Sequence, residues 1–244
     1  IGTYVDGITP EEAATRRARD LARHRKSNST EVDFSARQAM STLAFWTISL
    51  GHSSALFVVS AVMVHLFSHL TVSLGYSNGE AALFLGLMTA FQIVGQLAGG
   101  ALGDIVSKRL IVIVCMGMHA TALLMVAHLG STPAVLGFAV LHGLAWGTRG
   151  PLMQAIRADY FGRSSFGSIM GFSSMILMIG QMAGPVIAGV LYDRTGSYES
   201  GFTIIAIIAA LGSIFFMLSW RPKPPSTSAT LGLVTPAPEA AGGA

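Results

Sequence analysis

Between about residues 41 and 221 the chain is a succession of long apolar runs separated by short polar breaks. Six runs stand out, at about residues 43–71, 81–103, 109–130, 133–156, 166–191 and 201–220. Each is near the roughly 20 residues that a helix needs to cross a bilayer. The breaks carry turn chemistry: Gly75-Tyr76-Ser77-Asn78-Gly79, Gly103-Asp104, Gly130-Ser131-Thr132-Pro133, Gly162-Arg163-Ser164-Ser165 and Gly196-Ser197-Tyr198. The pattern predicts an all-α, polytopic membrane bundle of six transmembrane helices. One pattern occurs twice. Gly95-Gln96-Leu97-Ala98-Gly99 leads into Gly100-Ala101-Leu102-Gly103-Asp104, and Gly180-Gln181-Met182-Ala183-Gly184 leads into Gly189-Val190-Leu191-Tyr192-Asp193. The copies fall on the second and fifth spans, which run in opposite directions, so the bundle is expected to be a 3+3 inverted repeat.

The flanks differ in character. Residues 1–40 are polar, with Arg16, Arg17, Arg19, Arg23, Arg25 and Lys26 clustered, and are expected to be a water-exposed remnant of a cytoplasmic loop. Residues 222–244, rich in Pro, Ala, Gly and Ser, are expected to be a disordered cytoplasmic tail. The transmembrane domain then covers residues 41–221. The chain begins with Ile1 rather than Met, and further sequence is expected upstream.

Composition sharpens the class. With 52% hydrophobic and 11% charged residues and a mean hydropathy of +0.60, too little polarity is available to coat a soluble globule. The pI of about 9.3 could suggest nucleic acid, but the bases lie in the gaps between spans, so the bilayer is the expected partner and nucleic acid is not. Lys108 and Arg109, the Arg157 to Arg163 stretch, Arg221, Lys223 and the basic leading segment share one side, and Arg194 stands alone on the other. The positive-inside rule places both termini in the cytoplasm. Cys115, the single cysteine, lies in an apolar run and reads as packing.

The candidate chemistry is sparse. Arg149 lies inside the fourth span, about eight residues from its cytoplasmic end and so roughly 12 Å deep. His142, seven residues earlier, shares its face. An intramembrane arginine must face a cavity, a carboxylate or backbone carbonyls. Anion binding and carbonyl capping beside Pro151 are both compatible with this placement. Gln92 and Gln96 on the second span and Gln181 on the fifth either read a solute or join helices. His65 and His69 have i, i+4 metal-ligand spacing, with His52, His119, His128 and His142 also in spans, but no mid-span carboxylate accompanies them. No metal site or other cofactor is expected. A cavity role or proton relay suits His65 or His142 better. Gly184-Pro185 is either a hinge or a fixed kink.

Several short motifs stand together: G-x-L-x-D-x-x-x-K-R at Gly100 to Arg109, Asp159-Tyr160-Phe161-Gly162 with Phe166-Gly167, Gly184-Pro185, Tyr192-Asp193-Arg194-Thr195-Gly196-Ser197-Tyr198, and the lead-in Asp33 to Ala39 before Phe45-Trp46. In these residues the chain resembles the C-terminal six-helix half of a major facilitator superfamily transporter, in the monocarboxylate transporter and oxalate–formate antiporter-like branch. The resemblance implies secondary active transport of a small organic solute, a monocarboxylate or related organic anion, by alternating access in the cell membrane, with a missing N-terminal six-helix half as partner. It implies no enzyme activity. It also implies that Gly100, Asp104, Lys108 and Arg109 form a conformational latch, in which Asp104 pairs with Lys108, Arg109 or a helix N-terminus. The two bases also read as topology anchors. The match is partial, with Ile105 and Ser107 where a base and a glycine are usual. Gln96 holds the place of the branch's substrate arginine, so anion specificity does not follow from the resemblance alone. Other readings are a non-transporting membrane scaffold or binding module, and a half-size transporter acting as a homodimer.

Overall fold

The computed structural model describes Glu11, Glu12, Thr15, Arg16 and residues 33–225. The expectations for Arg17, Arg19, Arg23, Arg25, Lys26 and the tail from residue 226 onward lie outside the described residues. The chain divides into two units, one made of residues 1–33 with 224–244 and the other of residues 34–223. Of the first unit, Glu11, Glu12, Thr15 and Arg16 are helical, and the Thr15 hydroxyl donates to the Glu11 carbonyl at 2.8 Å.

The second unit is all-helical among its described residues. A short helix α1 (Ala36–Met40) precedes six long ones: α2 (Leu43–Ser68, continued by a π-helical turn His69–Ser73), α3 (Asn78–Ile105), α4 (Lys108–His128), α5 (Thr132–Phe161), α6 (Phe166–Thr195) and α7 (Tyr198–Leu218). Local sequence sets the ends. Ser35 with Gln38, and Ser77 with Glu80, form reciprocal capping boxes, while Thr42, Ser107 and Ser197 accept from first-turn amides. Gly75, Gly130, Gly162 and Gly196 have φ of 74, 55, 79 and 69°, a conformation that a side chain would strain. Those four turns match the expected breaks. The fifth does not, because Gly103 is buried inside α3, which runs on to Ile105 before extended Val106 breaks it.

Small residues set the packing. A Cβ built on Gly95 or Gly99 would lie 2.5 or 2.6 Å from the carbonyl oxygens of Leu144 and Thr148, and one on Gly143 or Gly147 would overlap the carbonyls of Met88 and Gln92. Helices α3 and α5 therefore touch backbone to backbone, in parallel register. The second pentapeptide does the same work: Cβ atoms on Gly180 and Gly184 would overlap the carbonyls of Ser53 and Phe57, locking α6 to α2, again in parallel. Antiparallel contacts close the bundle. Gly212 of α7 faces Met116 of α4, Gly137 of α5 faces Met125 of α4, and Gly51 of α2 faces Phe216 of α7. The two glycine-locked pairs consequently run in opposite directions.

Five of the long helices are long and apolar enough to cross a membrane: Leu43–Ser73, Asn78–Ile105, Lys108–His128, Phe166–Thr195 and Tyr198–Leu218. Helix α5 has the length, at 30 residues, but His142, Arg149, Gln154, Arg157 and Asp159 lower its hydropathy. It compensates by burial. His142, Arg149 and Arg157 are at most 1% exposed, so their polarity is turned toward neighbouring helices.

Candidate functional site

The glutamines of the two pentapeptides occupy corresponding places. Each follows the first packing glycine by one residue, about 100° around the helix, and so points away from the locked interface. Gln96 and Gln181 are exposed near the middle of α3 and α6, and Gln92 is half-buried, donating to the Gln96 carbonyl oxygen at 3.3 Å. An amide at that depth costs free energy against hydrocarbon, so these side chains belong on a wet or protein-covered face. His65 is half-buried on α2. Its Nε2 lies 2.9 Å from the Pro185 carbonyl, and its ring centroid is 5.5 Å from that of Tyr198, so it ties α2 to α6.

Arg149 and His142, expected to line a cavity, are enclosed. His142 is stacked on Phe138, and its Nδ1 lies 3.1 Å from Nδ1 of His119, across the α4–α5 contact. One of the two rings must donate there, so their tautomers are coupled. Among the described residues, Nε2 of each ring has no hydrogen-bond partner, and neither do Nε and Nη1 of Arg149, although all are buried. The i, i+7 face exists as expected, but it points between α4 and α5, because the glycines of α5 take the opposite side against α3.

Arg157, assigned from the sequence to a cytoplasmic turn, is a second interior arginine. Helix α5 continues to Phe161, and Arg157 is 1% exposed. It donates to Nδ1 of His52 at 3.2 Å from both terminal nitrogens, to the Ser173 hydroxyl at 2.8 Å and to the Met153 carbonyl at 3.1 Å; Ser173 in turn meets Ser49 at 2.9 Å. Helices α2, α5 and α6 are thus joined through one charge-assisted cluster. The signal was available: Arg157 lies eight residues after Arg149, on the same buried face as Leu152, Met153 and Ile156. Ending the span at residue 156 hid it.

The histidine pair is pulled apart. His65 turns to α6, while His69 Nε2 lies 2.9 Å from the Val126 carbonyl of α4. No group of three or more His, Cys, Asp or Glu able to hold a metal occurs among the described residues.

At the basic end, Lys108 makes its ion pair with Asp159 of α5 at 2.9 Å. Asp104 was the expected partner; it is exposed and makes no ion pair among the described residues. The extended Val106 redirects the chain between them, with φ −122 and ψ 149°. Arg109 donates to the Met217 carbonyl at 2.8 Å and covers the Trp220 ring at 3.7 Å, so it joins α4 to the end of α7. Gly100 is exposed with open space where a Cβ would stand. Helix α6 runs unbroken through Gly184-Pro185, and Gly184 is buried against Phe57.

Residues 42–239 match the sequence profile of the Major Facilitator Superfamily, which covers most of the chain and all six long helices. The chain belongs to this superfamily. Among curated members it is similar to monocarboxylate transporter 13 of Rattus norvegicus, at 30% identity over 62% of this chain and 35% of the relative. It is similar to monocarboxylate transporter 12 of Homo sapiens at 26% identity over 64% of this chain and 31% of the relative. A hexuronate transporter of Bacillus subtilis (strain 168) is 23% identical over 75% of this chain and 49% of the relative. The chain therefore spans about a third of the length of the monocarboxylate transporters it matches. Membership and the apolar helices together make it a multi-pass membrane protein of a transporter family.

Proposed function

We propose that the chain is the C-terminal six-helix half of a secondary transporter that moves a small organic solute, a monocarboxylate or related organic anion, by alternating access. The observation that carries this reading is the placement of Gln96 and Gln181: exposed, mid-span, and at matching positions of two helix pairs that run in opposite directions. That arrangement suits a 3+3 inverted repeat with a solute path beside α3 and α6. Gln92, Gln96 and Gln181 supply neutral donors for a carboxylate, and His65 on α2 is a further candidate for the path. Arg149, enclosed with His142, acts from behind this surface as an unneutralised positive charge that favours anions over cations. The names of the relatives support the solute class.

Only 22% of the apolar window of α3 and 17% of that of α6 is buried, against 44–50% in α2, α4 and α7. A second six-helix half covering those faces would complete the path. The latch is the basic end, with Lys108 and Arg109 bridging α4 to α5 and α7 and with Asp104 and Gly100 free to meet the other half. Gly184-Pro185 is the flexing point of α6. Both termini are cytoplasmic in the cell membrane, and a cysteine placed at Ser197, not at Ser107, should react with impermeant reagent from outside.

The deciding experiment is uptake of a monocarboxylate panel by the full-length transporter in proteoliposomes. Replacing Gln96 or Gln181 with Ala should raise the apparent KM about tenfold while folded yield stays normal, as expected for lost hydrogen bonds of about 1.4 kcal/mol. Unchanged KM in both variants removes the glutamine face from the path. No uptake of any member of the panel by the wild type overturns the solute class.

A further inference from the structure

The basic end, which carries the latch residues Lys108 and Arg109, also encloses a feature that the solute path does not use. A cavity of about 320 Å³ is lined by Val106, Ser107, Lys108, Arg109, Ile156, Asp159, Tyr160 and Arg221. It could take roughly ten waters at about 30 Å³ each, enough for a hydrated phosphodiester. Three bases face one acid across it, a net charge of +2 (3 minus 1). Lys108 is held toward the cavity by Asp159. Arg109 spends one donor on the Met217 carbonyl and keeps the others, since a guanidinium has about five N–H groups. Arg221 is exposed and makes no hydrogen bond or ion pair among the described residues. The Tyr160 hydroxyl is fixed by donating to the Ser219 carbonyl at 2.9 Å, which leaves its lone pairs and not its proton for the cavity.

The surroundings choose between sources of phosphate. Ile105, Leu110 and Leu218 are 79, 52 and 48% exposed, and Trp220, stacked under Arg109, is 68% exposed. This is a membrane-facing apolar rim with an interfacial tryptophan at the mouth of a cationic cavity. A free phosphate would use the cavity and leave the rim unexplained. A lipid uses both, with its phosphate among the bases and its acyl chains along α4 and α7. A zwitterionic headgroup would bring its own cation against Lys108 and Arg109, whereas an anionic one would not.

We propose that this cavity is a binding site for the headgroup of an anionic phospholipid, which joins α4, α5 and the segment following α7. The bound lipid adds its phosphate to the Lys108–Asp159 and Arg109–Trp220 contacts that already hold these elements together.

Trp220 gives a direct readout. The chain has three tryptophans, so in the full-length transporter replacing Trp46, Trp146 and any tryptophan outside this chain with Phe leaves Trp220 alone. In detergent, brominated phosphatidylglycerol should quench its emission saturably, with half-saturation at least tenfold below that of brominated phosphatidylcholine. The preference should fall about fivefold in Arg221→Gln, the loss expected for one base near an anionic lipid, and should shrink as NaCl is raised. Arg221 is exposed, so this variant should fold. If its yield falls, the salt titration of the parent protein carries the test. Equal quenching by the two lipids, or a preference insensitive to both salt and Arg221→Gln, overturns the site. Loss of the preference in millimolar inorganic phosphate at constant ionic strength overturns the lipid assignment in favour of a free anion.

Discussion

Replacing Gly147 with Ala tests whether the solute face rests on the glycine seam behind it. The new Cβ would overlap the Gln92 carbonyl oxygen and lie 2.7 Å from the Gln96 amide nitrogen, where 3.4 Å is the lower edge of ordinary contact. The α3–α5 pair must therefore separate by at least 0.7 Å (3.4 minus 2.7) over this turn. Backbone on both sides leaves no flexible group to yield, so the cost should be about 1–3 kcal/mol, in the range of overpacked cores. For a domain of this size that corresponds to a loss on the order of 5 °C in Tm. Gly150 is the control, three residues on in the same helix, because a Cβ there meets nothing within 4 Å. Alanine in a helix is favoured over glycine by about 1 kcal/mol, so Gly150→Ala should match or exceed the parent. Thermal unfolding of the purified variants followed by near-ultraviolet circular dichroism reads both. Gly147→Ala should also raise the apparent KM for solute, because Gln92 and Gln96 ride on the displaced turn. Equal stability of the two variants would refute the backbone-contact argument.

Two further outcomes follow from the polar contacts. Arg157→Gln removes the charge that serves His52, Ser173 and Met153, and leaves buried groups short of a partner. The fraction recovered as a monodisperse peak in size-exclusion chromatography should fall by an amount consistent with about 2–4 kcal/mol, and a yield equal to the parent's would contradict the interior placement. Lys108→Ala and Asp159→Ala should each change Tm little, because the pair is partly exposed, at 28 and 51% for the two side chains, and such pairs are worth about 0–1 kcal/mol. If the pair is part of the latch, each single change should lower uptake and the swap of the two residues should restore it. Failure of the swap, with both single variants impaired, would assign the effect to Lys108 or Asp159 separately.

The helices were legible in the sequence because their signals are local. Apolar run length gave the spans, and Gly75, Gly130, Gly162 and Gly196 marked ends that only a residue free of Cβ strain can make. The recurrence of Gly-Gln-x-Ala-Gly marked two corresponding helices, and it could do so because four-residue spacing fixes one helix face without knowledge of the partner. Pairings across the bundle were hidden for the opposite reason. Asp104 is four residues from Lys108 and Asp159 is fifty-one, yet the turn at Val106 gives Lys108 to the distant acid. His142 reads as a cavity residue on the face of Arg149, and His119 only as one more histidine within a span, until α4 and α5 bring the two rings together. Arg157 was lost to a window that averages hydropathy and therefore ends a helix where charge begins, whether that charge faces water or the interior.

The polarity of α5 also bears on how the chain is made. A helix with Arg149 near its centre is a poor client for the insertion machinery by itself, since one central arginine offsets the gain from several leucines, at about 2.5–3.5 kcal/mol against it. Its glycine seam and its buried charges need α3, α4 and α2 already present to receive them. Helix α4 is strongly apolar, and only Leu129 to Ser131 separate it from α5, so the two should leave the translocon as a hairpin, with the apolar member carrying the charged one into the bilayer. Synthesis order then supports assembly order: the helices that must shelter Arg149 emerge before it, and α6, which supplies Ser173 to Arg157, arrives next to complete the cluster.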